Sequence, residues 1–312
     1  MEESLCIVVP CYNEGESLGF FFEAMEALEG QIPVKVSYVL VNDGSKDDTL
    51  SVMRRVNAGR PDAVHYISFS RNFGKEAALA AGMRRAVDDD YDLVSVMDAD
   101  LQDPPSLLPQ MIDQVVVHGH DVAAAYRTTR AGESPIRSWF AHRFYIMMNK
   151  ISDVEMKDGA RDFRVMTNRV AKAVVDLRER NRFSKGLFSW AGFDTVWIPY
   201  ENIERAHGQT GWSFLSLVRY AIEGIVAFST VPLEIISVAG LIAFLFALVF
   251  LLFVIIRALL FGDPVAGWPS LMAVITLFGG INLLSVGTVG LYISKIYSET
   301  KNRPLYIIEE EK

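Results

Sequence analysis

Asp98 and Asp100 stand two residues apart just after the apolar run Leu93–Met97, and oxygen donors at that spacing suit a small, hard cation. If the extended geometry of the run persists, side chains two apart leave on the same face, so both carboxylates can share one ion. Gln102 is the next residue of that parity and a third oxygen donor. Mg²⁺ or Mn²⁺ takes one or two carboxylates and completes its shell with water and substrate phosphate oxygens, so the pattern points to a phosphate-bearing substrate. Alone, the triplet is weak, because paired aspartates after a strand also form turns and helix caps. Its weight comes from three companions that likewise follow apolar runs: Pro10-Cys11-Tyr12-Asn13-Glu14, Asn42-Asp43-Gly44-Ser45 and Ser70-Arg71-Asn72-Phe73-Gly74-Lys75.

The Asp43 carboxylate can accept hydrogen bonds from a base or ribose, and Gly44 lets the chain turn sharply. The segment from Asp43 to Asp48 also reads as a solvated turn with a cap for the next helix, and both readings stand. Asn72 and Lys75 flank Gly74 at the entry to a helix, where backbone amides and the positive dipole end favour anions. Cys6 and Cys11 are the only cysteines, and they read as small strand or turn residues rather than a disulfide or a metal site.

These loops need elements that bring them to one edge. Leu5–Val9, Val34–Val41, Val64–Phe69 and Leu93–Met97 are short, β-branched-rich runs that read as strands, with helices predicted over Glu16–Leu28, Thr49–Val56 and Lys75–Val87. The last helix has five alanines and no breaker before Gly82. Such alternation predicts an α/β fold with a mostly parallel sheet covered on both faces, and ligands collect beyond the carboxyl ends of such strands.

The rest of the chain is built for a different solvent. Residues 235–256 and 270–294 carry no charge, and each run is long enough to cross a hydrocarbon core about 30 Å thick, so both read as transmembrane helices. The loop between them has one cation, Arg257, whereas Lys295, Lys301 and Arg303 follow the second run, which favours both termini on the cytoplasmic side. An opening without a cleavable leader pattern gives the same expectation for the first part of the chain. The expected organisation is a catalytic domain over 1–210, an amphipathic segment over 211–230 and a two-helix anchor with a cytoplasmic tail over 231–312. The middle segment reads equally as an interfacial helix or as a core helix. A net charge of −8 argues against nucleic acid as a partner.

Together the four loop motifs, with Asp98-Ala99-Asp100-Leu101-Gln102-Asp103-Pro104-Pro105 as the last, resemble family 2 glycosyltransferases of the GT-A fold. Within that family the chain is similar to the polyprenyl-phosphate glycosyltransferases, which include dolichol-phosphate mannose synthases and bactoprenol glucosyltransferases. Arg161-Asp162-Phe163-Arg164-Val165-Met166, Phe183-Ser184-Lys185-Gly186-Leu187, Arg205 before Gly208-Gln209-Thr210-Gly211-Trp212, and Arg303-Pro304-Leu305-Tyr306 extend the resemblance over nearly the whole chain. It implies that Pro10, Tyr12, Asn13, Glu14, Asp43, Asn72, Lys75 and Asp98 hold a nucleotide-sugar, with a UDP-sugar first. Asp98, Asp100 and Gln102 would hold Mg²⁺ or Mn²⁺, Arg127, Lys185 and Arg205 an acceptor phosphate, and Asp100, Asp162 and Arg205 would serve catalysis. One departure is the absence of the lysine that often follows Arg205 in this branch, which leaves phosphate binding to Arg205, Lys185 or another group.

The implied acceptor is a polyprenyl phosphate such as undecaprenyl phosphate, at the inner membrane. A phosphate monoester already carries a charge of about −1.5 to −2 at neutral pH, so no strong general base is needed. The expected reaction is attack of the lipid phosphate on the anomeric carbon with inversion, Asp162 orienting the sugar or stabilising positive charge at the ring. UDP-glucose leads the donors, ahead of UDP-galactose, UDP-N-acetylhexosamine, an aminoarabinose donor and GDP-mannose. The rivals are a processive synthase, a silent nucleotide-sugar-binding scaffold and a transporter, and two spans without a buried charge offer a polar sugar no path. Whether copies of the chain associate is left open.

Overall fold

Leu5, Ile7 and Val9 of strand β1 (Ser4–Cys11) face one hydrophobic cluster, and Cys6 and Val8 face the other. A strand covered on both sides has no polar face to alternate with, which is why the run is apolar throughout. The structure, a computed structural model, describes residues 3–128, 157–180, 182–201, 229–261 and 267–312, with 143, 146–147, 149–152, 154 and 225–226 between them. The chain divides into two compact units, Met1–Ala221 with Arg303–Lys312, and Ile222–Asn302.

In the first unit β1 is followed by α1 (Gly15–Glu26), β2 (Lys35–Asn42), α2 (Thr49–Gly59), β3 (Val64–Phe69), α3 (Lys75–Asp88), β4 (Leu93–Val96) and α4 (Leu108–Val116). Then come β5 (Val122–Arg127), β6 (Ala160–Thr167), α5 (Asn168–Asp176), α6 (Ser184–Trp190) and β7 (Thr195–Tyr200). With a final strand, β8 (Ile308–Glu311), they build one sheet in the order β7-β5-β6-β4-β1-β2-β3-β8, in which only β6 and β8 run against their neighbours. Phe21 and Met25 of α1, Met53 of α2 and Ile112 of α4 cover one face; Ala78 and Ala81 of α3 and Val170 and Val174 of α5 cover the other. Gly82 lets α3 lie close, since a Cβ there would stand 2.2 Å from Val8 Cγ1.

β1 pairs with β2 on one side and β4 on the other, so the strand order reverses there and a crevice opens beyond the carboxyl ends. Because β6 is reversed, its first residues arrive at the same edge as the last residues of β4 and β5. The register slips between Ala124 and Tyr126, whose β6 partners are Arg164 and Ala160, so three residues of β6 oppose Ala125 alone. Such a bulge re-aims side chains, and Asp162 is at its centre.

The tail does more than follow the last helix. β8 pairs antiparallel with the edge strand β3, with Tyr66 and Lys312 exchanging two backbone hydrogen bonds of 3.0 Å. Glu310 accepts from Arg54 and Tyr66, and the Tyr306 ring stacks on Phe69 at 5.0 Å.

The second unit holds α7 (Val231–Phe261) and α8 (Trp268–Thr300), which contain the two charge-free runs. Among the described residues one helix, Leu277–Thr300, is long and apolar enough to cross a membrane, and Val231–Ala247 is a shorter apolar stretch. The hydroxyls of Ser237, Ser285 and Thr288 donate to carbonyls four residues back, at 2.8 to 3.1 Å. The predicted amphipathic segment over 211–230 lies largely outside the described residues.

Candidate active site

The loop after β1 is latched to the loop after β2. Asn13, at φ 56°, donates its N–H to Ser45 Oγ at 2.9 Å and accepts from the Lys46 N–H at 2.8 Å, while the Glu14 N–H donates to Thr49 Oγ1 at 2.9 Å. Asn13 therefore holds the loops in register, with Pro10 half-buried and Tyr12 exposed at their rim.

Asp43 latches the next pair of loops. Its buried carboxylate accepts the N–H groups of Phe73 at 2.6 Å and Gly74 at 2.9 Å. Burial raises its pKa, and those two hydrogen bonds oppose the rise without cancelling it. Gly44 follows at φ +64°, and a Cβ there would come within 2.3 Å of the Arg71 carbonyl carbon, so the loops close only on glycine. Asn72 is exposed beyond the clamp.

Gly74 ends the clamped loop and Lys75 begins α3. The Lys75 ammonium bridges two carboxylates, donating to Asp98 at 2.8 Å and to Asp162 at 2.7 Å. This joins the loop after β3, the loop after β4 and the bulge of β6 at one point. For Asp162, burial alone would raise the pKa, but Lys75, Lys185 and Arg164 outweigh it and hold the carboxyl well below the usual range. Burial works against the Lys75 charge too, and the two carboxylates overcome it and push its pKa up. Lys75, expected among the nucleotide-sugar-binding residues, is here engaged with the acids of the site.

The parity argument for Asp98, Asp100 and Gln102 does not survive. β4 ends at Val96, Ala99 and Asp100 form a turn, and Leu101 adopts φ 54°, so extended geometry does not run from Asp98 through Gln102. Gln102 Oε1 instead accepts from Arg161 at 3.2 Å. The same guanidinium donates to Asp103 Oδ1 at 2.7 Å, and that oxygen also accepts the Tyr200 hydroxyl. Asp103 Oδ2 is buried without a hydrogen-bond partner among the described residues. Asp103 and Arg161 lie inside motifs quoted above, but their pairing across 58 positions has no local signature.

Arg164, nearly fully buried, supports the bulge from below by donating to the carbonyls of Arg161 at 2.8 Å and Asp162 at 3.1 Å, with its guanidinium 3.8 Å from the centre of the Phe188 ring. Burial lowers its pKa to about 10. Glu76 holds α6 to α3 by accepting the N–H of Ser184 at 3.0 Å and its hydroxyl. This places Lys185 beside Lys157 and Arg164 around a cavity of about 30 Å³, room for roughly one water. Arg127, at the end of β5, is fixed through its N–H to the Gly159 carbonyl at 3.1 Å. Arg205 lies outside the described residues. Cys6 and Cys11 are buried free thiols in opposite clusters.

Among the described residues no three His, Cys, Asp or Glu side chains converge as a closed metal cage. A hard cation that shares its shell with substrate phosphates needs only one or two carboxylates, and Asp98 already meets a cation here, the Lys75 ammonium. The donor set fits such an ion.

A model of glycosyl transferase family 2 matches residues 6–175. The chain is 38% identical over 308 residues to the bactoprenol glucosyl transferase of Shigella phage SfV, a match that spans 99% of both chains. It is 37% identical over 308 residues to the prophage bactoprenol glucosyl transferase homolog of Escherichia coli strain K12, again across 99% of both. Among solved structures it is similar to the mannosyltransferase PcManGT from Pyrobaculum calidifontis, with 16% identity and a TM-score of 0.49 over 97% of this chain and 88% of that one.

Proposed function

The chain belongs to glycosyl transferase family 2 and is a glycosyltransferase, and from that premise we propose that it moves a hexose from a nucleotide-sugar to a polyprenyl phosphate at a membrane surface. The observation that carries this is the end-to-end likeness to bactoprenol glucosyl transferases, which extends through α7 and α8. UDP-glucose is the first donor and undecaprenyl phosphate the first acceptor.

A membrane-bound acceptor needs a membrane-bound enzyme. We read α7 and α8 as two spans: 31 and 33 residues of helix extend about 45 to 50 Å at 1.5 Å per residue, more than a hydrocarbon core requires. The hydroxyls of Ser237, Ser285 and Thr288 bond back to carbonyls of their own helices, as an apolar solvent demands of a donor. The catalytic domain and both chain ends then share the cytoplasmic side.

In the proposed reaction an acceptor phosphate oxygen forms a bond to the anomeric carbon as the bond from that carbon to the nucleoside diphosphate breaks. The configuration inverts. Pro10, Tyr12, Asn13, Glu14, Asp43 and Asn72 shape the nucleotide end of the crevice. Asp98 and Asp100 would hold Mg²⁺ or Mn²⁺, which when bound supplies positive charge to the leaving diphosphate. Asp162, kept ionised by Lys75, Lys185 and Arg164, faces the developing positive charge on the sugar, and nothing in the step requires it to take a proton. Arg127, Lys185 and Arg205 draw the acceptor phosphate in. Purified enzyme offered a panel of nucleotide-sugars with undecaprenyl phosphate tests the donor: UDP-glucose should give the fastest labelled lipid product, and another sugar outpacing it tenfold would reassign the donor.

A further inference from the structure

A second basic site lies on the α3–α5 face of the sheet. Arg84 of α3, Arg178, Arg180 and Arg182 of the segment after α5, and Pro304, Leu305 and Tyr306 of the tail line a cavity of about 380 Å³. Small-molecule sites begin near this size. The lining itself carries four arginines and one acid, Glu179; behind it Asp176 pairs with Arg84 at 2.7 Å and Glu76 acts on Arg182. The wall that faces the cavity is therefore positive.

Arg182 is the telling residue. It is 9% exposed, and its terminal nitrogens donate to the carbonyls of Leu177 at 2.8 Å and Val174 at 2.9 Å, while its Nε is buried with no hydrogen-bond partner among the described residues. Its guanidinium is one of the charges that line the cavity, and an anion held there would meet it. Val175, Leu177 and Leu305 add apolar wall. The tail that completes the lining begins three residues beyond Thr300, the end of α8.

We propose that this cavity binds the phosphate-bearing headgroup of an anionic membrane lipid, with the arginines on the phosphate and the apolar wall against the first carbons of the chains. Inorganic phosphate shares the headgroup's chemistry. The lipid is favoured because the lining closes with a segment that leaves an apolar helix, and basic pockets beside membrane helices select anionic headgroups. This rests on reading α8 as a membrane span. The site is separate from the crevice at the strand ends, and none of its residues is assigned to sugar transfer.

The test is native mass spectrometry of the full chain in non-ionic detergent, titrated with phosphatidylglycerol, phosphatidylcholine or inorganic phosphate. Wild type should hold phosphatidylglycerol at least tenfold more tightly than the other two. Arg178→Gln should weaken that binding about fivefold, and Arg84→Gln with Arg178→Gln about twentyfold or more, given roughly a fivefold effect per arginine at an anionic surface. Unchanged melting temperatures show that the variants fold. Equal binding of both lipids, phosphate competing at equal concentration, or full affinity in the double variant would overturn the proposal. Sugar transfer on the same samples should stay within twofold, which separates failure here from failure of the transferase reading. A fall in transfer in step with lipid binding would make the cavity part of the acceptor site and overturn its separateness.

Discussion

Replacing Asp43 with alanine should loosen the catalytic unit and weaken donor binding together. The carboxylate accepts two backbone N–H groups, at 2.6 and 2.9 Å, and is 3% exposed. Hydrogen bonds to a charged group contribute about 1.5 to 3 kcal/mol each, so the pair is worth at most about 6 kcal/mol. Burial of the Asp43 charge offsets that gain, as its raised pKa shows, so the cost of removal is set by the two N–H groups left without an acceptor, about 1 to 3 kcal/mol each when dry and less where water reaches the half-buried Phe73 and Gly74. Together they cost about 3 kcal/mol, which for a domain of 150 to 250 residues lowers Tm by about 6 to 12 °C. Asp43→Asn keeps one acceptor but turns an amide N–H toward a backbone N–H, so it should fall between wild type and alanine. Thermal unfolding in detergent, followed by near-ultraviolet circular dichroism, measures the first effect. Calorimetric titration with the nucleotide-sugar measures the second, expected as at least tenfold weaker binding because the clamped loop carries Asn72 and Lys75. An alanine variant that melts within 2 °C of wild type and binds donor normally would refute the clamp.

Asp162→Asn should lower turnover on the order of a hundredfold while nucleotide-sugar affinity changes less than threefold, as expected for a group that acts on charge developing in the reaction; equal losses in both would contradict that role. Gly44→Ala forces a Cβ against the backbone of Arg71 and moves the loop that carries Lys75, so kcat/KM should fall on the order of a hundredfold by steady-state kinetics; normal kinetics would show that the loops tolerate the shift. Glu310 is held at about 2 by hydrogen bonds from Arg54 and Tyr66, below the 4.5 of a free side chain. Its contribution to stability is complete above pH 4.5 and is lost as pH falls toward 2. Glu310→Gln should therefore flatten the dependence of Tm on pH in that window, and an unchanged slope would mean that β8 is not held through this carboxylate.

The strands from β1 to β4 and the helices α1 to α3 were legible because each is a local pattern: a β-branched run buried on two faces, or an alanine-rich stretch entered at Gly74. The loops at their carboxyl ends were legible for the same reason. What joins the loops was not. Lys75 meets Asp162 across 87 residues, through a bulge in a strand that enters the sheet out of sequence order. The aspartates were found for a reason that failed, since the turn at Ala99 and Asp100, with Leu101 at φ 54°, breaks the strand parity between them and Gln102. β8 reads Ile-Glu-Glu-Glu, with no alternation to mark a strand, and is one because an open edge and two donors, Arg54 and Tyr66, await it. The arginines around Arg182 are spread over about a hundred positions and meet only in the fold.

The central claim is transfer to a lipid that is already a phosphate. It is tested most directly by incubating the full-length enzyme with radiolabelled UDP-glucose and Mg²⁺ or Mn²⁺, with either undecaprenyl phosphate or undecaprenol in the same detergent, and counting label in the organic phase. Label should enter undecaprenyl phosphate and stay near background with undecaprenol. Equal labelling of the free alcohol, or none of the phosphate with any donor in the panel, would contradict it.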